Sequence, residues 1–379
     1  MVRRAIRTIL LAAGLVLAPA PLTHAATAPG PDALIAAARD EMMVEPHAAL
    51  ARAEQARRLL EGRSGGPAEL ARATTDWLRA EALSRLDDNA RAGPLAAATL
   101  ATVARRWPRA KLHADLLLTS GGIAKEQNRM ADALVAFQRA HNLFRDLGET
   151  RNQTVALLLL ASLYQDASDH RTALRYYREA IGALNGGDDN LLVSIRNNLG
   201  NVLDALERFD EAAREYGEAL TIARRMDSPH LLVPVLTNIA RVNLAQGRLS
   251  AAERALAEAF TFARAGRVND RPLLVVDARI ALARGQFGRA AALLDRVFTG
   301  MNLGATPPAL SEAHRAAYDT YRRIGRADDA LVHLAALKRI DDRAAQLATD
   351  AGNALLSARF DSANKELKIA KLRAEQAQR

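Results

Sequence analysis

The chain has 379 residues, with 52 Lys and Arg against 43 Asp and Glu (formal charge +9); 49% of residues are hydrophobic, only 4% are aromatic, and there is no cysteine. Without cysteine there can be no disulfide, no zinc–thiolate site and no Cys nucleophile. Leu and Ala supply most of the apolar content, which favours helices over strands. The modest excess of Arg is interleaved with acids, as on solvated helix faces, so nucleic acid is not an expected partner.

Arg3, Arg4 and Arg7 form a positive start, Ile9 to Ala18 is an apolar run, and Thr23-His24-Ala25 places small residues at −3 and −1 of a cleavage site. Residues 1–25 therefore read as a secretory signal peptide cut after Ala25, which sends the mature chain to the periplasm or outside the cell. The apolar run is short for an uncleaved membrane anchor. No later stretch reaches the length of a membrane span, so none is expected in the mature chain.

From residue 31 to 128 the helical pattern is irregular. Pro46 to Leu60 carries Ala49, Ala53 and Ala56 in step, and Pro67 to Leu86 and Pro94 to Arg106 form a further pair parted by Asp87-Asp88-Asn89. From 129 to 340 the pattern repeats. One small residue follows each turn and opens a helix: Ala133, Ala173, Ala212, Ala252, Ala290 and Ala330, with gaps of 40, 39, 40, 38 and 40. Four residues on comes a bulky side chain (Phe137, Tyr177, Tyr216, Leu256, Leu294, Leu334) and three further a small or aliphatic one, spacings that share a helix face. Twelve residues before each anchor stands Gly121, Ala161, Gly200, Ala240, Ala278 or Tyr318, in a preceding helix that for the first of these repeats begins near 113.

Asn198-Leu199-Gly200-Asn201 followed by Arg208-Phe209-Asp210-Glu211-Ala212, Tyr216 and Ala219 resembles the tetratricopeptide repeat. Two features depart from that pattern: the first-helix Trp is missing, and Tyr318 replaces Gly or Ala in the last repeat. The resemblance implies an all-α fold, a right-handed superhelical α-solenoid of about eight helix pairs with a period near 40. A period longer than the family's usual one resembles the longer-helix branch found in peptide-binding scaffolds and regulators. Such pairs stack because one pair alone cannot bury its apolar face.

Residues 341–379 continue as helix. Leu356, Phe360, Ala363, Leu367, Ala370 and Ala374 are spaced 4, 3, 4, 3, 4, a short coiled-coil seam and a route to dimerisation, beside Lys365, Lys368, Lys371 and Arg373. The segment resembles the linker between the periplasmic repeat region and the membrane span of bacterial sensors that end in a diguanylate cyclase or histidine kinase. A cap on the last repeat and a stalk both remain open.

No catalytic constellation is present, and neither a cofactor nor a metal is expected. There is no Gly-x-Ser-x-Gly elbow, His-Glu-x-x-His or P-loop. Ser120-Gly121-Gly122 is in register with the repeat, Gly186-Gly187-Asp188-Asp189 falls in a loop, and the eight His are scattered. That leaves the groove. In tetratricopeptide arrays the first helix of each pair lines the inner face. The resemblance puts Asn197, Asn201 and Asp204, then Thr237 and Arg241, with Gln165 and Arg279 from the flanking repeats, on that face as peptide contacts. Leu158 and Leu244 flank this polar strip. An Asn amide can both donate to and accept from a peptide backbone, and Arg can fork onto a carboxylate. Two readings follow: an exported scaffold that binds a peptide or protein, or the sensory part of a membrane signalling protein.

Overall fold

The computed structural model describes residues 29–184 and 186–377, with side chains as far as Ala358. The signal segment lies outside the described residues, as do the side chains of the helix seam from Phe360 onward. Sixteen α-helices occur among the described residues, with no strand. They are α1 (Pro31–Glu41), α2 (Pro46–Leu59), α3 (Gly66–Arg85), α4 (Asn89–Arg106), α5 (Lys111–Glu126), α6 (Met130–Asp146), α7 (Thr150–Asp166), α8 (His170–Leu184), α9 (Asp189–Ala205), α10 (Phe209–Arg225), α11 (Pro229–Ala245), α12 (Leu249–Gly266), α13 (Arg271–Ala283), α14 (Phe287–Phe298), α15 (Ser311–Arg323) and α16 (Ala327–Ala377). Odd and even helices pair, and each pair stacks on the next, which makes an all-helical solenoid. α4 begins at Asn89, capped by the Asp88 carboxylate, so Pro94 lies inside the helix rather than opening it.

The turn within each pair from α3 onward is one device repeated. Asp87, Asn128, Ser168, Glu207, Gly247, Gly285 and Gly325 close the odd helices with φ from 57° to 78°. The next residue donates its N–H five residues back, for example Arg208 to Leu203 O at 2.9 Å and Arg248 to Asn243 O at 2.8 Å. This is the Schellman closure, which satisfies helix-end carbonyls and reverses the chain in two residues. The left-handed conformation suits glycine and costs other residues about 1–2 kcal/mol.

Packing inside a pair sets the spacing of small and large residues. Gly121 faces Phe137 and Gly200 faces Tyr216, each 16 residues on, and both rings are fully buried. A Cβ at Gly121 would stand 2.5 Å from the Phe137 ring, and one at Gly200 would overlap the Tyr216 ring. Ala161–Tyr177, Ala240–Leu256 and Ala278–Leu294 keep the same offset with buried partners.

The last pair departs from the sequence reading. Tyr318 is only half-buried and Leu334 is 39% exposed. The buried residues at the 16-residue offset are Ala317 and His333, so the register slips by one residue. Tyr318 therefore does not fill the close-packing position. The slip follows the longest connection in the regular array, Thr299–Leu310, which contains two short 3-10 turns (Leu303–Ala305 and Pro308–Leu310).

α16 begins as the second helix of this pair and then leaves it. At 51 residues it is roughly 75 Å long. Residues 341–346 are exposed, after which Ala351 and Leu355 bury themselves against α6 and α7. The helix thus contacts both ends of the regular array. Leu356, the first residue of the heptad seam, points away at 67% exposure. Among the described residues no helix is long and apolar enough to cross a membrane.

Candidate functional site

The odd-numbered helices bring the expected polar residues together as a bonded rail. Asn238 Nδ2 donates to Asn197 Oδ1 at 2.9 Å, and Arg241 Nη1 donates to Asn238 Oδ1 at 2.9 Å. Arg241 Nη2 donates to Asp204 Oδ2 at 2.7 Å, which ties α11 back to α9. The rail continues through Glu312 at the start of α15. Its Oε1 lies 3.8 Å from Arg241 Nε, and its Oε2 accepts from Arg279 Nη1 of α13 at 2.6 Å. Asn197, Asp204, Arg241 and Arg279 therefore form one network.

The other three residues behave differently. Asn201 Oδ1 accepts from the Tyr216 hydroxyl at 2.8 Å, and Gln165 Oε1, on α7, accepts from the Tyr177 hydroxyl at 3.0 Å. Each amide thus reaches toward the second helix of its own pair. Thr237 is 8% exposed and donates to Val233 O of its own helix at 2.6 Å, so it contributes shape rather than a free polar group. None of the seven is fully exposed. The oxygens are taken. The amide N–H groups of Asn197 and Asn201 have no acceptor among the described residues.

Electrostatics favour a permanent cation here. Burial opposes the Arg241 charge, but the carboxylates of Glu312 and Asp204 favour it, and the guanidinium is held above its ordinary pKa. Burial also pushes the Tyr216 phenol up, so it stays a neutral donor to Asn201.

Beside the rail opens a cavity of about 760 Å³ between α11, α13 and the Thr299–Leu310 connection. Val233, Pro234, Val275, Met301 and Leu310 make its apolar walls, while Asn238, Arg241 and Glu312 line its polar side. By the 16-residue offset, His314 of α15 occupies the place held by Asn197, Thr237 and Val275 in earlier pairs. It is fully buried, and Thr306 Oγ1 lies 2.8 Å from its Nε2. The connection therefore covers the inner face of the last pair and closes that end of the groove.

Asn238, Glu312, Tyr177 and Tyr216 are site residues outside the seven expected on the inner face. Asn238 had a signal, because it repeats the Asn198 position two residues before the small residue. Glu312 had none, since its approach depends on the long connection. Among the described residues no group of three or more His, Asp or Glu could hold a metal ion.

The family profile described as the MalT-like TPR region matches residues 74–355. No curated protein sequence matches the chain. Among solved structures the chain is similar to the apo form of RapI, with 12% identity, 83% of this chain and 87% of that one covered, and a TM-score of 0.64. It is also similar to the apo form of the quorum sensor NprR from B. thuringiensis (13% identity, 81% and 86% covered, TM-score 0.65). A third is the Rap conjugation gene regulator of the plasmid pLS20 in complex with the Phr* peptide (14% identity, 86% and 99% covered, TM-score 0.53). At these identities the likeness is one of fold. The profile runs from α3 to the buried tail of α16, over most of the chain, and the chain belongs to the MalT-like tetratricopeptide-repeat family.

Proposed function

We propose that this protein is an exported scaffold that binds an extended peptide, or an extended segment of a partner protein, along the inner faces of α9, α11 and α13. The observation that carries the reading is the pair of unused amide donors on Asn197 and Asn201, beside an apolar-walled cavity closed at one end. Amide donors suit backbone carbonyls, and an apolar pocket suits one anchoring side chain. The similar Rap structure holds a peptide, which supports the same use of this fold. Export rests on Arg3 to Ala25. Mass spectrometry of periplasmic protein should find a mature start near Ala26, and a chain still carrying Met1 or Val2 would contradict it.

The binding test exploits the hydrogen bonds. Alanine at Asn197 and Asn201 would strand the Asn238 amide and the Tyr216 hydroxyl. Asn197→Asp with Asn201→Asp keeps both acceptors, removes the donors and adds a negative charge at each place, which repels peptide carbonyls as well. Capture from a peptide array should weaken by about 1 kcal/mol or more per lost hydrogen bond, with circular dichroism unchanged. Equal affinities would place the ligand elsewhere.

A second reading, the sensory portion of a membrane signalling protein, is favoured by α16. It extends beyond its buried tail and leaves Leu356 exposed at the head of a heptad seam. A helix of that length gains from a partner in a parallel two-stranded coil. The oligomeric state of the full chain tests it: a dimer supports the stalk, a monomer removes it.

A further inference from the structure

His314 on α15 and His333 on α16 meet with their Nδ1 atoms 2.8 Å apart. Both are buried, with the Phe298 ring 4.6 and 4.5 Å from their centroids and the Tyr321 ring 5.4 Å from His333. Earlier pairs fill these two positions with Asn197, Thr237 or Val275 and with Tyr216, Leu256 or Leu294, so packing does not require imidazoles here. On its other side His314 Nε2 holds Thr306, and Arg339 of α16 donates to Leu303 O at 3.0 Å. With Arg339 Nη2 also 3.4 Å from Thr306 Oγ1, these bonds tie the last pair to the connection whose Met301, Pro307, Pro308 and Leu310 wall the cavity.

We propose that the His314–His333 pair is a proton-operated pin that holds the 299–310 connection closed over the end of the groove and releases it in acid. In the neutral pair one Nδ1–H donates to the other Nδ1 lone pair, and His314 is satisfied at both ring nitrogens, with Thr306 at its Nε2. A first added proton places a charge in a largely apolar enclosure. A second puts two N–H groups face to face at the same contact, so the bond is lost and the rings repel.

The charged and titratable neighbours do not rescue the cation. Asp295 of α14 already accepts from Tyr321 of α15 and from Arg326 in the turn, and Asp329 of α16 also accepts from Arg326. Burial, then the charges of His333 and Arg339, bring His314 down to about 4. Burial lowers His333 as well: Asp329 and Asp295 oppose the shift, and Arg326 adds to it. The folded-state values lie below the ordinary 6.5, so the unfolded or opened form binds protons more readily. The pin is fully effective above about pH 6.5 and is lost as pH falls toward about 4.

The full chain has no cysteine, so a spin label on Ala305→Cys reports the connection alone. Ala305 is exposed and tolerates the label. The spectrum should be constrained near neutral pH and become mobile, reversibly, near pH 4.5, while circular dichroism shows the array still helical. His333→Phe, a residue type that an earlier repeat uses at this place, removes the facing ring nitrogen but keeps the tie from His314 to Thr306, so it should stay constrained at both pH values. Thr306→Val, which removes the hydroxyl held by His314 Nε2 and leaves the His314–His333 contact in place, should be mobile already at neutral pH. An unchanged wild-type spectrum across the range would overturn the proposal, as would an identical acid response in the His333→Phe variant. The readout uses no peptide, so it stands or falls separately from the binding reading.

Discussion

Gly200→Leu should destabilise the array by about 1–3 kcal/mol in chemical denaturation, because the added side chain must enter space held by Tyr216. Gly200→Ala sharpens the test. Helix propensity alone would favour alanine by about 1 kcal/mol, yet its Cβ would overlap the same ring, so packing predicts the opposite sign. Tyr216 has no simple escape, since its hydroxyl is tied to Asn201. The control is Arg224→Ala. Arg224 pairs with Glu258 at 2.7 Å, but the side chains are 53% and 34% exposed, and such surface pairs contribute about 0–1 kcal/mol. Equal losses at Gly200 and Arg224 would mean that the small residue is not a packing contact.

The second large effect is expected at the rail. Arg241 and Asp204 are 28% and 16% exposed, less than most ion pairs in the molecule. Asp204→Ala leaves the guanidinium with Asn238 and a longer approach to Glu312. Loss of a hydrogen bond to a charged group at such a site costs about 1.5–3 kcal/mol. Arg241→Met in the Asp204→Ala background should recover part of that loss, because the stranded cation is gone. A double-mutant cycle should give a coupling of roughly 1–2 kcal/mol; additive losses would mean that the pair is decoration on a solvated face.

The repeat was legible because close packing enforces it: a residue with little or no side chain must face each large buried one, so the period near 40 is printed in Gly121, Ala161, Gly200, Ala240 and Ala278. The last pair was not, because a one-residue slip preserves the spacing of small and apolar letters while turning Tyr318 and Leu334 outward and Ala317 and His333 inward. The helix face of Asn197, Asn201 and Asp204 was legible from period alone. Their pairing and half-burial were not, because these depend on tyrosine hydroxyls that reach across a pair and on Asn238 and Arg241 from the next helix. The histidine pairing was hidden for a similar reason: residues 19 apart meet only once a helix pair has formed. The return of α16 to α6 and α7 rests on Ala351 and Leu355, too short a pattern to stand out from ordinary helix composition.

The inner faces of α9, α11 and α13 are proposed to capture an extended chain. The most direct measurement is photo-crosslinking of the full chain to a random peptide library carrying one photoreactive residue, followed by mass-spectrometric mapping of the attachment sites. Attachment should concentrate on residues that line the cavity and rail, such as Pro234, Asn238 and Glu312, and should fall in the Asn197→Asp, Asn201→Asp protein. Crosslinks scattered over the even-numbered helices, or an unchanged map in that variant, would contradict the account.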